Sequence, residues 1–199
     1  MKTTAIPEEA FNSGLLNREY HDRLLMDLER LCAKAGVPTS AILLRLSDFC
    51  KKGQDYDWVR DFKISPDAGL AYVGKSDVPA ADKMTAIVGA CLRNYTDARM
   101  MVLQDVLAKL KDGAMDSPTL LLIPNFYLGK DDGGDVATWE TTRLLDLLLA
   151  RQSEGKKTVI FAASLAGVEK AYGSSVRELI EGKYSIAGSE FIPAHALAQ

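Results

Sequence analysis

Apolar residues recur along this chain in two rhythms, and the change from one to the other divides it. Over residues 14–35, "GLLNREYHDRLLMDLERLCAKA", Leu15, Leu16, Tyr20, Leu24, Leu28, Leu31 and Cys32 fall at helical spacing, and Gly36 followed by Pro38 ends the pattern. The spacing predicts a helix over 14–35 and a shorter helical segment, "TSAILLRLSDFCKK", up to Gly53. An aromatic-acidic stretch, "QDYDWVRDF", leads into a different regime, in which short, continuous apolar runs alternate with helical segments. The runs are "GLAYVG", "ARMMVLQ", "PTLLLIPNFYL" and "KTVIFAAS". The helical segments between them are "ADKMTAIVGACLRN", "DVLAKLKDG" and "ATWETTRLLDLLLARQSEG", with "LAGVEKAYG" and "SVRELIEGKYSIAG" closing the pattern.

Strands that are apolar throughout, rather than on every second residue, have both faces buried, and helices between consecutive strands are what parallel pairing requires. The pattern therefore predicts an α/β fold, a three-layer sandwich around a mostly parallel sheet. It sets an N-terminal helical segment, 1–53, against an α/β domain, 54–199, the two forming one compact unit.

Composition narrows the functions open to such a domain. A net charge of −3 supplies no general attraction to nucleic acid or an acidic membrane. The ten cations that could meet a phosphate backbone, among them Lys51, Lys52, Arg60, Arg93, Arg99, Lys156 and Lys157, are scattered, and the lysine pairs read as solvated loop ends. Cys32, Cys50 and Cys91 lack metal or redox spacing and read as buried free thiols. The N-terminus shows no signal-peptide pattern and no apolar run reaches membrane-spanning length, so a cytoplasmic location is expected. Asp131, Asp132 and Asp135 in "GKDDGGD" lack the spacing of a calcium loop, and His21 and His195 lack that of a metal site. No metal is expected.

One segment does carry chemistry, in altered form. In "GLAYVGKSDVPAADKMTAIVG" an apolar strand reaches Gly74, a short loop follows, and a helix begins near Asp82. Strand, glycine, tight loop and helix is the frame that cradles nucleotide phosphates. The order "CAKAGVP", "LSDF", "GLAYVG", an alanine-rich helix, "TLLLIPNF" and "GKKTVIFAASL" resembles the AAA+ ATPase domain of bacterial replicative-helicase loaders and transposition helper ATPases, over roughly residues 30–185.

The resemblance implies a P-loop NTPase-like (AAA+/RecA-like) core and makes the departures readable. The family's loop runs Gly-x-x-x-x-Gly-Lys-Thr after the first strand. With Gly74 as its first glycine, Pro79 takes the place of the second, Ala80 that of the lysine and Ala81 that of the hydroxyl residue. Proline has no N–H to offer a phosphate, and alanine supplies neither a cation nor a Mg²⁺ ligand. Where the family ends a strand in acidic residues, this chain has Pro124 and Asn125; Ser164 stands at the position of the γ-phosphate sensor. Downstream, where the family carries arginines, Arg177 is out of phase by one.

The resemblance thus implies a catalytically inactive, AAA+-like binding or regulatory factor in DNA replication, recombination or a mobile element, with no nucleotide cofactor. Its expected partners are a replicative helicase, a related active ATPase, DNA or copies of itself. One alternative is an ATPase that binds nucleotide through a non-standard loop, Gly74-Lys75-Ser76. The other is a RecA-like pseudo-ATPase that inhibits a protein partner.

Overall fold

The computed structural model describes residues 6–113, 117–127 and 136–188. Five strands, β1 (Gly69–Val73), β2 (Ala98–Met100), β3 (Leu120–Ile123), β4 (Lys157–Ala162) and β5 (Tyr184–Ala187), form one sheet in the order β2-β3-β4-β1-β5. Every neighbouring pair is parallel, with Gly69 opposite Thr158 on one side and Tyr184 on the other. The α/β class and the mostly parallel sheet read from the sequence are what the chain adopts.

The continuous apolar runs serve two cores, because successive strand side chains point to opposite faces. Leu70, Tyr72, Leu120, Leu122 and Val159 join a cluster formed with the N-terminal helices and α6 (Ala80–Arg93). Ala71, Val73, Leu121, Ile123, Ile160 and Ala162 join the opposite cluster. That one is covered by α7 (Leu103–Lys111), α8 (Thr138–Ser153), α9 (Leu165–Tyr172) and α10 (Ser174–Lys183). Helices on both faces make the sandwich three layers thick.

The N-terminal region departs from its helical reading. In place of one helix over 14–35 there are α1 (Glu8–Asn12) upstream, then α2 (Asp22–Met26) and α3 (Leu28–Ala35), broken at Asp27. Residues 18–21 form a turn, because the Asn17 side chain accepts the N–H groups of Glu19 and Tyr20, a local alternative to helix. His21 is a buried bracket: Nδ1 accepts the Asn17 N–H at 2.8 Å and Nε2–H donates to the Arg93 carbonyl at 3.1 Å. "TSAILLRLSDFCKK" resolves into a 3₁₀ turn, Thr39–Leu43, and the single turn α4 (Leu46–Phe49). The aromatic-acidic stretch holds a helix the sequence reading did not assign, α5 (Asp55–Asp61). The final apolar stretch, likewise unassigned, forms the edge strand β5.

Among the described residues no helix is long and apolar enough to cross a membrane. His195 and the aspartates of "GKDDGGD" lie outside the described residues.

Candidate functional site

The parallel sheet puts the C-terminal ends of its strands on one edge, and a cleft of about 240 Å³ opens there above β1. Gly74 turns the chain off the strand at φ +82°, a conformation that strains any residue with a Cβ, and its N–H stays in the sheet, donating to the Ala162 carbonyl at 3.0 Å. Lys75, Ser76 and Asp77 then run exposed along the cleft to Pro79, which caps α6. The Pro79 carbonyl accepts from Asp82 and Lys83, and the helix begins on Ala80 and Ala81. Strand, glycine, loop and helix are therefore all present. At the helix start stand proline and two alanines.

The cation of this site comes from one turn further on. Lys83 is buried and lines the cleft, and its Nζ donates to Asp55 Oδ2 at 2.9 Å. Asp55, on α5, is only 1% exposed, and its other oxygen accepts the Lys51 N–H at 2.7 Å. The Lys83 ammonium also lies 5.0 Å from the centre of the Tyr72 ring, a favourable position for a cation over an aromatic face. At the mouth, Lys51 Nζ meets Asp77 Oδ2 at 3.0 Å. Three lysines thus converge on the cleft, and two of them are matched by carboxylates of the chain itself.

The sequence reading separated these residues. Asp55 and Lys83 stand 28 positions apart, and no local motif joins them. The available signal was Asp55 itself: it shares a helical face with Trp58, Val59 and Phe62, all buried, and an acidic residue on an apolar stripe calls for a partner.

The remaining positions singled out in the sequence lie apart from the cleft. Pro124 and Asn125 follow β3; Asn125 is exposed, and Phe126 takes up the sheet bond, donating to the Phe161 carbonyl at 2.8 Å. Ser164 caps α9: its Oγ accepts the Gly167 N–H at 3.0 Å. Ser164→Ala is accordingly expected to cost about 1 kcal/mol, read as a fall in Tm of roughly 2–4 °C for a chain of this size. Arg177 is held on the surface between Glu169 and Glu181.

The scattered cations are largely engaged within the fold. Arg93 donates to the Ile42 carbonyl, and Arg60 and Arg99 pair with neighbouring aspartates. Lys157, expected at a solvated loop end, is buried instead, because its ammonium donates to the carbonyls of Ser65 and Asp67.

The three cysteines are free and buried. Burial raises the Cys32 thiol, and it pushes Cys50 and Cys91 up to about 12, so none supplies a thiolate at neutral pH. A disulfide-exchange reagent should leave all three untouched in the native protein and titrate them after denaturation. Rapid labelling of a native thiol would overturn this.

With Gly74 taken as the first glycine of a phosphate loop, the lysine and hydroxyl positions fall on Ala80 and Ala81, Pro124 and Asn125 follow β3, and Lys83 is paired with the buried Asp55. Among the described residues no group of three or more His, Cys, Asp or Glu side chains could hold a metal.

Sheet order, crossover helices and the loop above β1 together give an α/β three-layer fold like that of P-loop NTPases. Solved structures that resemble the chain in fold include a helicase loader and a replication initiator. The DnaC helicase loader matches at 17% identity with a TM-score of 0.52, over 73% of this chain and 96% of that one. DnaI matches at 14% and 0.52, over 76% and 94%. AMPPCP-bound DnaA from Aquifex aeolicus matches at 12% and 0.55, over 74% and 50%. The chain spans about half the length of the initiators it matches. At these identities the likeness is one of fold. No protein-family model and no curated protein matches the sequence.

Proposed function

We propose that this protein is a catalytically inactive, AAA+-like factor that acts in DNA replication, recombination or a mobile element by binding a protein partner. One observation carries the reading: the strand, glycine, loop and helix of a phosphate site persist, while the helix opens on Pro79, Ala80 and Ala81. Phosphoryl transfer depends on electrostatic stabilisation of the transferring group, and these residues provide neither the cation nor the metal ligand it needs. A structural neighbour of the same fold, DnaA, is described as bound to the ATP analogue AMPPCP; the present loop lacks the groups for that chemistry. What persists is a rigid three-layer scaffold whose surfaces remain free to engage a replicative helicase, a related ATPase, DNA or a second copy.

The test is turnover. Purified protein with Mg²⁺ and ATP is expected to release phosphate at the rate of the buffer blank, with or without DNA, and Lys75→Ala is expected to change nothing. Turnover above blank that Lys75→Ala abolishes would establish the competing reading, nucleotide binding through Gly74, Lys75 and Ser76. A helicase or active AAA+ ATPase retained by the immobilised protein would then identify the partner class.

A further inference from the structure

The cleft holds more positive charge than an apolar remnant needs, and it answers that charge from within. Lys51, Lys75 and Lys83 all line it. Lys83 is held by Asp55, where both side chains are at least nine-tenths buried. Lys51 is held by Asp77, with both side chains exposed. Lys75 is exposed and has no ion-pair partner among the described residues. The Asp55 carboxylate is anchored a second time by the Lys51 backbone N–H, so the segment that bears Lys51 and the helix that bears Asp55 close on the loop together.

We infer that this cleft is an anion site held shut by the protein's own carboxylates: Asp55 and Asp77 supply the counter-charge that a bound polyphosphate would otherwise bring. The inference deepens the proposed function, on which it rests, by naming the groups that would compete with an anion for the lysines of the loop. A buried ammonium needs a partner or neutralises itself. Asp55 meets that need permanently, which removes any dependence of the loop on a ligand. Asp77 acts at the rim, where a carboxylate facing Lys51 repels an incoming anion and competes with it for the lysine.

Removing the carboxylates should therefore open the site. Thermal unfolding is followed with and without millimolar sodium tripolyphosphate, in the absence of metal, for the wild type, Asp77→Asn, and Asp55→Asn combined with Asp77→Asn. The wild-type Tm is expected to stay fixed. Asp77→Asn, which alters only an exposed pair and should leave the fold intact, is expected to gain a small positive shift. The double variant is expected to gain several degrees, the size of shift that a ligand well above its Kd produces in a domain of this length. Lys75→Ala added to Asp77→Asn should cancel the gain, which places the anion in the cleft.

Should the double variant show no cooperative transition, Asp77→Asn with and without Lys75→Ala decides alone. A wild-type shift as large as the variants', no gain in any variant, or a gain indifferent to Lys75→Ala would each overturn the inference. Phosphate release from ATP tests the proposed function separately: turnover would refute inactivity, whereas the tripolyphosphate shift reads only the internal counter-charge.

Discussion

Gly89→Ala is expected to destabilise the protein by about 3 kcal/mol, against its intrinsic effect on a helix. Alanine in place of a mid-helix glycine favours the helix by up to about 1 kcal/mol, and at an open position that gain is realised. At Gly89, in α6, the added Cβ would lie 2.0 Å from the Ala41 carbonyl oxygen and 2.7 Å from its carbon. Those are backbone atoms of the 3₁₀ turn, whose Ala41 and Ile42 are fully buried, so no flexible side chain can give way. The turn must move off α6. It would then take with it the Ile42 carbonyl, which accepts from Arg93 at 2.6 Å. Overpacking of this kind costs about 1–3 kcal/mol, with the upper end expected where only backbone can yield. The comparison that isolates the cause is Gly182→Ala in α10, where an added Cβ meets nothing within 4 Å. That variant should gain roughly 0.5–1 kcal/mol, with Tm rising by a few degrees, while Gly89→Ala falls by about 6–12 °C. Equal shifts in the two would remove the close approach as the reason for Gly89.

The same residues show what a sequence yields and what it conceals. β1, β3 and β4 were legible because burial on both faces leaves an unbroken apolar run, and α6 and α8 because long amphipathic stretches are hard to read otherwise. The frame of the loop was legible for the same reason: Gly74 sits where a strand must turn into a helix. The single helix expected over 14–35 failed because local side-chain bonds competed with it. Asn17 satisfies two N–H groups that a helix would have used, and no periodicity of apolar residues registers that. β5 was missed because an edge strand needs only one partner and keeps only Tyr184 buried.

The cleft was half legible. Lys75 and Ser76 line it, next to Gly74, yet its buried ion pair joins Lys83 to Asp55 across 28 residues. Long-range pairing of two charges leaves no local pattern. It shows only as an acidic residue out of place on a buried stripe.

Arg151→Met is expected to cost about 3–5 kcal/mol. Arg151, on α8, is 1% exposed. Its Nε donates to Thr158 Oγ1 at 2.9 Å, Nη1 to Ser117 Oγ at 2.9 Å and the Pro118 carbonyl at 3.1 Å, and Nη2 to the Lys157 carbonyl. Burial lowers the guanidinium to about 10, so it stays charged at neutral pH. The planar fork ties the end of α8 to the segments where β3 and β4 begin. Methionine fills much of the volume but satisfies none of those acceptors, and each buried acceptor left bare costs about 1–3 kcal/mol, partly relieved by relaxation. Arg151→Lys should lose less, since an ammonium reaches some acceptors but does not span the fork. Denaturant unfolding should show a lower midpoint with an unchanged slope for both variants, Met below Lys. A Met variant as stable as the wild type would mean that the network contributes nothing net. Because Arg151 acts where the strands begin and the cleft opens where they end, Arg151→Lys well below its Tm should still leave the cleft indifferent to tripolyphosphate. Stability and anion exclusion then separate, as two ends of one sheet.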